Sequence, residues 1–459
     1  MKKDLSASRN PTSAILPSYD IRIVERPATW RGYSYLITYL LADHEPTAGE
    51  LVAMHRWAYS ENLPNPRVIT PSLFQWSSLF NPRFFGAVIA ERGGWESRLS
   101  WTSPDEAPED GQLVHLWLES TLFLAGVTFS AAIIQSRYSH GTIASKYDHL
   151  WEAGVLADSA IVPELRVLDL LETVRALAAD IEADGIERLL AIRRQFMAAW
   201  TLIAPPNGDV EVMSESQPPI EFAARFGFVN ELRKRCGRGL HAIIAYGSSV
   251  SSQSFSDYDL LIVAEDAEVL LRRLAGQSPK WCDKEMNIGI YSPNELLVMQ
   301  RLSGDNLADY GVCLCGAIPV IRKHVSRLLI RNFSFGILRQ RQQLGMLSRA
   351  VGEQIPANGD DRRNLHDYFV KIPANVAKGT LGALGERWSK ECIQEWLISE
   401  FGFDAVEEQR LARTGNPAGA LAKSALATGK VLATLNERVN LVRTSHHGTD
   451  TSGDVKWRV

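Results

Sequence analysis

Apolar residues along the chain follow a helical period in long stretches, interrupted by one compact run of short strands. Residues 47–61 keep helical spacing, and Thr47 with Glu50 three positions on has the form of a capping box. Residues 71–80 predict a second, shorter helix. Runs rich in β-formers at 84–91 and 95–102 flank Gly93-Gly94 and predict a β-hairpin. Two helices and a hairpin fit either a winged helix or an ordinary α+β module. Helices are expected at 116–134 and 162–203, the second with Leu165, Leu168, Leu171, Val174, Leu177 and Ile181 in helical period. Residues 204–219 (APPNGDVEVMSESQPP) break the pattern and read as a linker.

Shorter elements follow. Residues 221–236 predict an amphipathic helix, and 241–246 (HAIIAY) an apolar strand. Gly247-Ser248-Ser249 then opens a serine-rich loop to Ser256, and Asp257-Tyr258-Asp259 leads into a strand, LLIVAE, at 260–265. A helix at 267–275, a strand at 286–292 and a helix from 293 to 301 complete this region. Helices at 326–351 and 418–443 and a polar tail at 444–459 finish the chain. The expected organisation is a mainly helical domain at 1–203, a linker at 204–219, a mixed-sheet core at 220–325, a helical domain at 326–443, and a flexible tail. The expected fold class is α+β, with a hairpin in the N-terminal half.

Composition narrows the functions. The chain has 459 residues, 45% apolar and 22% charged, with 49 Lys and Arg against 53 Asp and Glu. That is ordinary globular composition, without the global basic field that draws a protein strongly onto nucleic acid. The five cysteines, Cys236, Cys282, Cys313, Cys315 and Cys392, match no disulfide framework or zinc ribbon. Cys313-x-Cys315 lies in an apolar run and reads as strand packing. His44, His55, His115, His140 and His149 have no ligand spacing on one helix face. Lys2 and Lys3 precede no apolar region of signal-peptide type. The uncharged run at 121–134 is short of the roughly 20 residues a spanning helix needs. No transmembrane segment is expected, and the reading is a cytoplasmic protein.

The chemistry concentrates between 241 and 292. Residues i and i+2 of a strand share a face, so Asp257 and Asp259 present two carboxylates side by side. Like charges this close repel, and a divalent cation relieves them; Mg²⁺ is commonly held by one or two carboxylates together with substrate phosphates. A Gly-Ser turn just upstream lets the backbone approach a phosphate. The order strand, Gly-Ser turn, loop, Asp-x-Asp strand describes a site for metal-bound triphosphate.

Residues 243–249 (IIAYGSS) and 256–263 (SDYDLLIV) resemble the DNA polymerase β-like nucleotidyltransferase superfamily, over roughly residues 220–325. The resemblance implies a nucleotidyltransferase core, with phosphate contacts at Gly247, Ser248 and Ser249. It implies metal ligands at Asp257 and Asp259, two Mg²⁺ ions, an NTP substrate and release of pyrophosphate. A third carboxylate on a later strand completes the family's site. Here Asn287 falls where that acid is expected, counted from Ser292-Pro293. Asn is not a base at neutral pH. Glu285, two residues earlier on the same strand face, is the candidate replacement, and Asp283 a weaker one. The eight residues from Ser249 to Ser256 are slightly few for the family.

A second resemblance is to the mitochondrial phosphatidate cytidylyltransferase branch, through residues 246–253 (YGSSVSSQ) and a Lys-Gly stretch at 378–383. It implies a lipid-phosphate acceptor and CDP-diacylglycerol as product. The acceptor class otherwise stays open among small molecules, lipid phosphates and proteins. The helical region carries Arg331, Arg339, Arg341 and Arg349, read as a solvated face or as one arginine reaching the triphosphate. The competing function is a catalytically lapsed domain retained for binding or regulation.

Overall fold

The computed structural model describes residues 22–30, 33–42, 44–63, 66–73, 133–134, 185–203, 209–277, 279–302, 306–323, 325–352, 368–386 and 388–447. The expected helix at 47–61 is among them; the expected hairpin at 84–102 lies outside them, as do the expected helices at 71–80, 116–134 and 162–203 except for residues 71–73, 133–134 and 185–203, which are helical. The chain divides into two compact units, one made of Met1–Val114 and Asn332–Val459, the other of His115–Arg331.

The first unit opens with a hairpin that the sequence reading lacked. Strands β1 (Arg22–Trp30) and β2 (Tyr33–Leu41) pair antiparallel, and β3 (Arg67–Ile69) adds parallel to β2. Between β2 and β3 runs α1 (Ala48–Ser60), with the expected capping box at Thr47 and Glu50. It buries Leu51, Met54, His55 and Ala58. The first described elements of the N-terminal half are therefore a sheet with one helix.

The second unit is a six-stranded mixed sheet with helices, and it makes the chain α+β as expected. Helix α2 (Gly185–Ile203) precedes β4 (Asp209–Ser214), which lies inside the segment read as a linker. Its acidic, alternating sequence resembles a loop because β4 is an edge strand with few buried side chains. Backbone pairing with β9 (Val312–Arg322) and an ion pair from Glu211 to Arg322 at 2.8 Å hold it.

The expected single helix at 221–236 is broken into a 3₁₀ turn, Ala223–Phe226, and α3 (Val229–Cys236). Phe222, Phe226 and Phe228 are all buried. Positions 226 and 228 lie on opposite sides of a continuous helix, so burying both demands the break.

The remaining elements are β5 (Leu240–Tyr246), α4 (Ser248–Ser251), β6 (Tyr258–Ala264), α5 (Ala267–Leu274), β7 (Lys280–Trp281), β8 (Lys284–Tyr291), α6 (Pro293–Leu302) and α7 (Leu307–Tyr310). The strand order is β4-β9-β5-β6-β8-β7. Strands β5 and β6 are antiparallel, and β6 and β8 parallel. Ala242–Ala245, Leu260, Ile262, Ile288 and Ile290 form the core, with Cys313 and Cys315 buried in β9. Arg193 of α2, almost fully buried, donates to Glu295 at 2.6 Å and to the Ile290 carbonyl at 3.3 Å. This pair fastens α2 to the end of β8.

Helix α8 (Val325–Val351) begins the C-terminal helical stretch. The first unit resumes there and adds α9 (Ile372–Ala383), α10 (Lys390–Phe401), α11 (Ala405–Arg413) and α12 (Pro417–His447). Helix α12 runs into the segment read as a tail. The Lys-Gly stretch at 378–383 is helical and belongs to α9. Arg339 and Arg341 are buried, against the solvated reading. The Arg339 guanidinium lies 4.9 Å from the Phe335 ring centroid and 4.8 Å from that of Tyr368 and donates to Gln342 at 2.8 Å. Burial lowers its pKa to about 9.

Candidate nucleotide and metal site

Strand β5 ends at Tyr246, and the chain turns at Gly247 with φ 74° and ψ −155°. Glycine adopts this backbone freely and other residues do not. A second constraint acts at the same point, because a Cβ on Gly247 would collide with Asp259 Oδ2. The turn thus brings bare backbone against a carboxylate. The single helical turn α4 follows, with the Ser251 hydroxyl donating to the Gly247 carbonyl at 2.8 Å. The Ser249 hydroxyl is buried and donates to the Tyr246 carbonyl at 3.3 Å. Of the three residues read as phosphate contacts, Gly247 and Ser248 are half-buried and Ser249 is turned inward.

The register across three strands sets the polar row. Tyr246 of β5 lies opposite Asp259 of β6, and Asp259 opposite Asn287 of β8. Residues directly opposite one another share a sheet face. Asp257 stands one residue before β6 begins, on the side of Asp259. Asn287 Nδ2 donates to Asp257 Oδ2 at 2.5 Å and to Asp259 Oδ1 at 3.4 Å. The Ser256 hydroxyl donates to Asp257 Oδ1 at 2.6 Å. All three site side chains are half-buried, whereas Tyr258, Leu260, Met286 and Ile288 on the opposite face are buried.

Asn287 therefore sits level with the carboxylate pair and links its two members. Glu285 lies two residues earlier on β8 and opposes Lys280 of β7. One step back from the Tyr258–Met286 pair, it is level with Asp257. Asp283 is at the exposed tip of the β7–β8 hairpin, where Cys282 and Asp283 both have positive φ. Among the described residues, no three of His, Cys, Asp and Glu gather as a metal-ligating group.

Three residues around the loop went unnoticed in the sequence. Arg225, from the 3₁₀ turn, donates to the carbonyls of Ser249 at 3.0 Å, Ser252 at 2.7 Å and Gln253 at 2.8 Å. Phe255 lies 4.7 Å from the Arg225 guanidinium and 4.3 Å from Lys284 Nζ, which donates to the Phe255 carbonyl at 2.5 Å. Only the crowding of Phe222, Phe226 and Phe228 around Arg225 hinted at this in the sequence. Behind the strand, Tyr258 packs edge-on against Phe226, Phe228 and Phe255 and donates to the Arg225 carbonyl at 3.1 Å. Burial raises the Tyr258 pKa, so the hydroxyl keeps its proton.

No helix among the described residues is long and apolar enough to cross a membrane. Comparison with protein-family models, with curated proteins and with solved structures returns no match for the chain.

Proposed function

We propose that the chain is a nucleotidyltransferase that moves NMP from an NTP to an acceptor, with Asp257 and Asp259 as its metal-binding pair. One observation carries the reading: both carboxylates meet on one sheet face, directly beside a glycine turn that holds bare backbone against Asp259. The donor set fits Mg²⁺, which favours carboxylate oxygens and keeps room for phosphate oxygens. When bound, Mg²⁺ supplies charge neutralisation for the triphosphate and the departing pyrophosphate. The chain's own residues do the remaining work. Gly247 admits a phosphate to the backbone, Ser248 adds a hydroxyl beside it, and Asn287 orients both carboxylates. In the transfer, an acceptor oxygen bonds to the α-phosphorus. The bond from the α-phosphorus to the oxygen bridging it to the β-phosphorus breaks, and pyrophosphate leaves with that oxygen and the bond's electron pair.

Asn287 bears on the acceptor. An amide takes no proton from a hydroxyl at neutral pH. A phosphate monoester is already ionised and needs no base, so it suits this site better than an alcohol. The phosphatidate version of the reading belongs to this class. Purified protein incubated with Mg²⁺, each of the four NTPs and phosphate or hydroxyl acceptors is expected to release pyrophosphate, most with a phosphate acceptor. No release under any combination sinks the reading.

Asn287 also favours a second reading, a lapsed domain that binds nucleotide without transferring it. Under it, Mg²⁺-dependent nucleotide binding persists in the absence of pyrophosphate release.

A further inference from the structure

We infer that Arg225 is a positioning residue that sets the shape of the loop between β5 and β6. The inference rests on the nucleotide-site reading for its functional half. The loop runs from Gly247 to Ser256 and joins the glycine turn to Asp257. It carries six serines and a glutamine, a composition with little apolar surface of its own to bury. Something outside it must fix its path.

Arg225 does this by geometry. Its guanidinium is a rigid planar fork, and it reaches three carbonyl oxygens spread over Ser249, Ser252 and Gln253. Those carbonyls belong to α4 and to the two residues just after it. Hydrogen bonds from a charged donor are stronger than neutral ones. The fork is held in turn by Phe222 at 4.1 Å and Phe255 at 4.7 Å from the guanidinium carbon. Its own backbone carbonyl accepts from Tyr258, the residue between the two aspartates. One residue thus ties the start of the loop, the ring near its end, and the strand that carries the carboxylates. Lys284 holds the far end at the Phe255 carbonyl.

The side-chain hydrogen bonds of Arg225 to Ser249, Ser252 and Gln253 all run to backbone carbonyls of the loop. It acts on the site through the loop. A lysine in its place keeps the charge but replaces the fork with one point donor.

The test compares full-length wild type with Arg225→Lys, and with Phe255→Leu as the second variant. Hydrogen exchange is followed over residues 248–256, and binding of fluorescent ATP, CTP, GTP and UTP is measured with Mg²⁺. In Arg225→Lys, exchange over 248–256 is expected to rise about tenfold and nucleotide affinity to fall about tenfold, from the loss of charge-assisted hydrogen bonds. Exchange in β6 and β8 is expected to stay at the wild-type rate, which a general structural defect would not allow. Phe255→Leu is expected to shift loop exchange in the same direction by less. Wild-type loop exchange in both variants overturns the inference. So does faster loop exchange with unchanged nucleotide affinity. If the wild type binds no nucleotide, the transferase reading falls by itself, and the exchange data alone decide whether Arg225 sets the loop.

Discussion

Gly247, Asn287 and Arg225 each hold a position that another side chain would fill badly, for different reasons. At Gly247 the obstacle is double, a positive φ and a space already taken by the Asp259 carboxylate. Gly247→Ala is expected to cost about 1–3 kcal/mol of stability, read as a lower denaturant midpoint, and to weaken Mg²⁺-nucleotide binding. At Asn287 the amide lies between two carboxylates. Asn287→Asp replaces that donor with a third negative charge. It is expected to lower stability by about 1–2 kcal/mol without divalent cations, and to recover when Mg²⁺ is added. Thermal melting with and without Mg²⁺ reads both effects, and a variant indifferent to Mg²⁺ argues against a cation at this pair. The residue scale also shows what was legible. Counting back from Ser292-Pro293 puts Asn287 where the resemblance expects an acid, and the structure sets it opposite Asp259; a strand that runs straight into a helix start leaves little freedom of register. Arg225 was not legible, since its partners come from a loop more than twenty positions downstream and only folding brings them together.

Elements differ in how openly the sequence declares them. Strands β5 and β6 are continuous apolar runs ended by Gly and Asp, and both appear where the pattern put them, with Asp257 left just outside the second. Strand β4 hid because an edge strand exposes its side chains and so carries no buried face to read. The helix expected at 221–236 failed because three phenylalanines compete for the core and a 3.6-residue period cannot bury them together. Two measurements test element packing. Breaking the buried Arg193–Glu295 pair with Glu295→Gln leaves a guanidinium buried without its carboxylate, and is expected to cost about 3 kcal/mol in denaturant unfolding. His55 of α1 is buried with no hydrogen-bond partner for either ring nitrogen among the described residues. Burial, with Arg67 beside it, lowers its pKa to about 3 from 6.5. The folded state therefore resists protonating His55 while the unfolded chain accepts the proton. Stability is expected to be full above pH 6.5 and to fall as pH drops toward 3, by about 1.4 kcal/mol per unit at most. The pH profile of His55→Leu, compared with wild type over this window, should be flatter. Parallel profiles contradict the assignment.

At the scale of the whole molecule, the described residues give an α+β chain with a six-stranded mixed sheet in one unit and helices with a three-stranded sheet in the other. A formal charge of −4 gives no reason to expect strong attraction to nucleic acid. The proposed function rests on the site's polar row, and not on the surface as a whole. The most direct measurement is transfer of label from α-labelled NTP. Full-length protein is incubated with Mg²⁺, each NTP in turn and a cell extract, and the protein, aqueous and organic phases are counted separately. Asp257→Ala, checked for folding by circular dichroism, is the control. The account predicts label in one phase, dependent on Mg²⁺ and reduced at least about a hundredfold by Asp257→Ala. Label in the organic phase from CTP alone identifies a lipid-phosphate acceptor. Label that survives Asp257→Ala, or none from a folded wild type in any phase, contradicts the account.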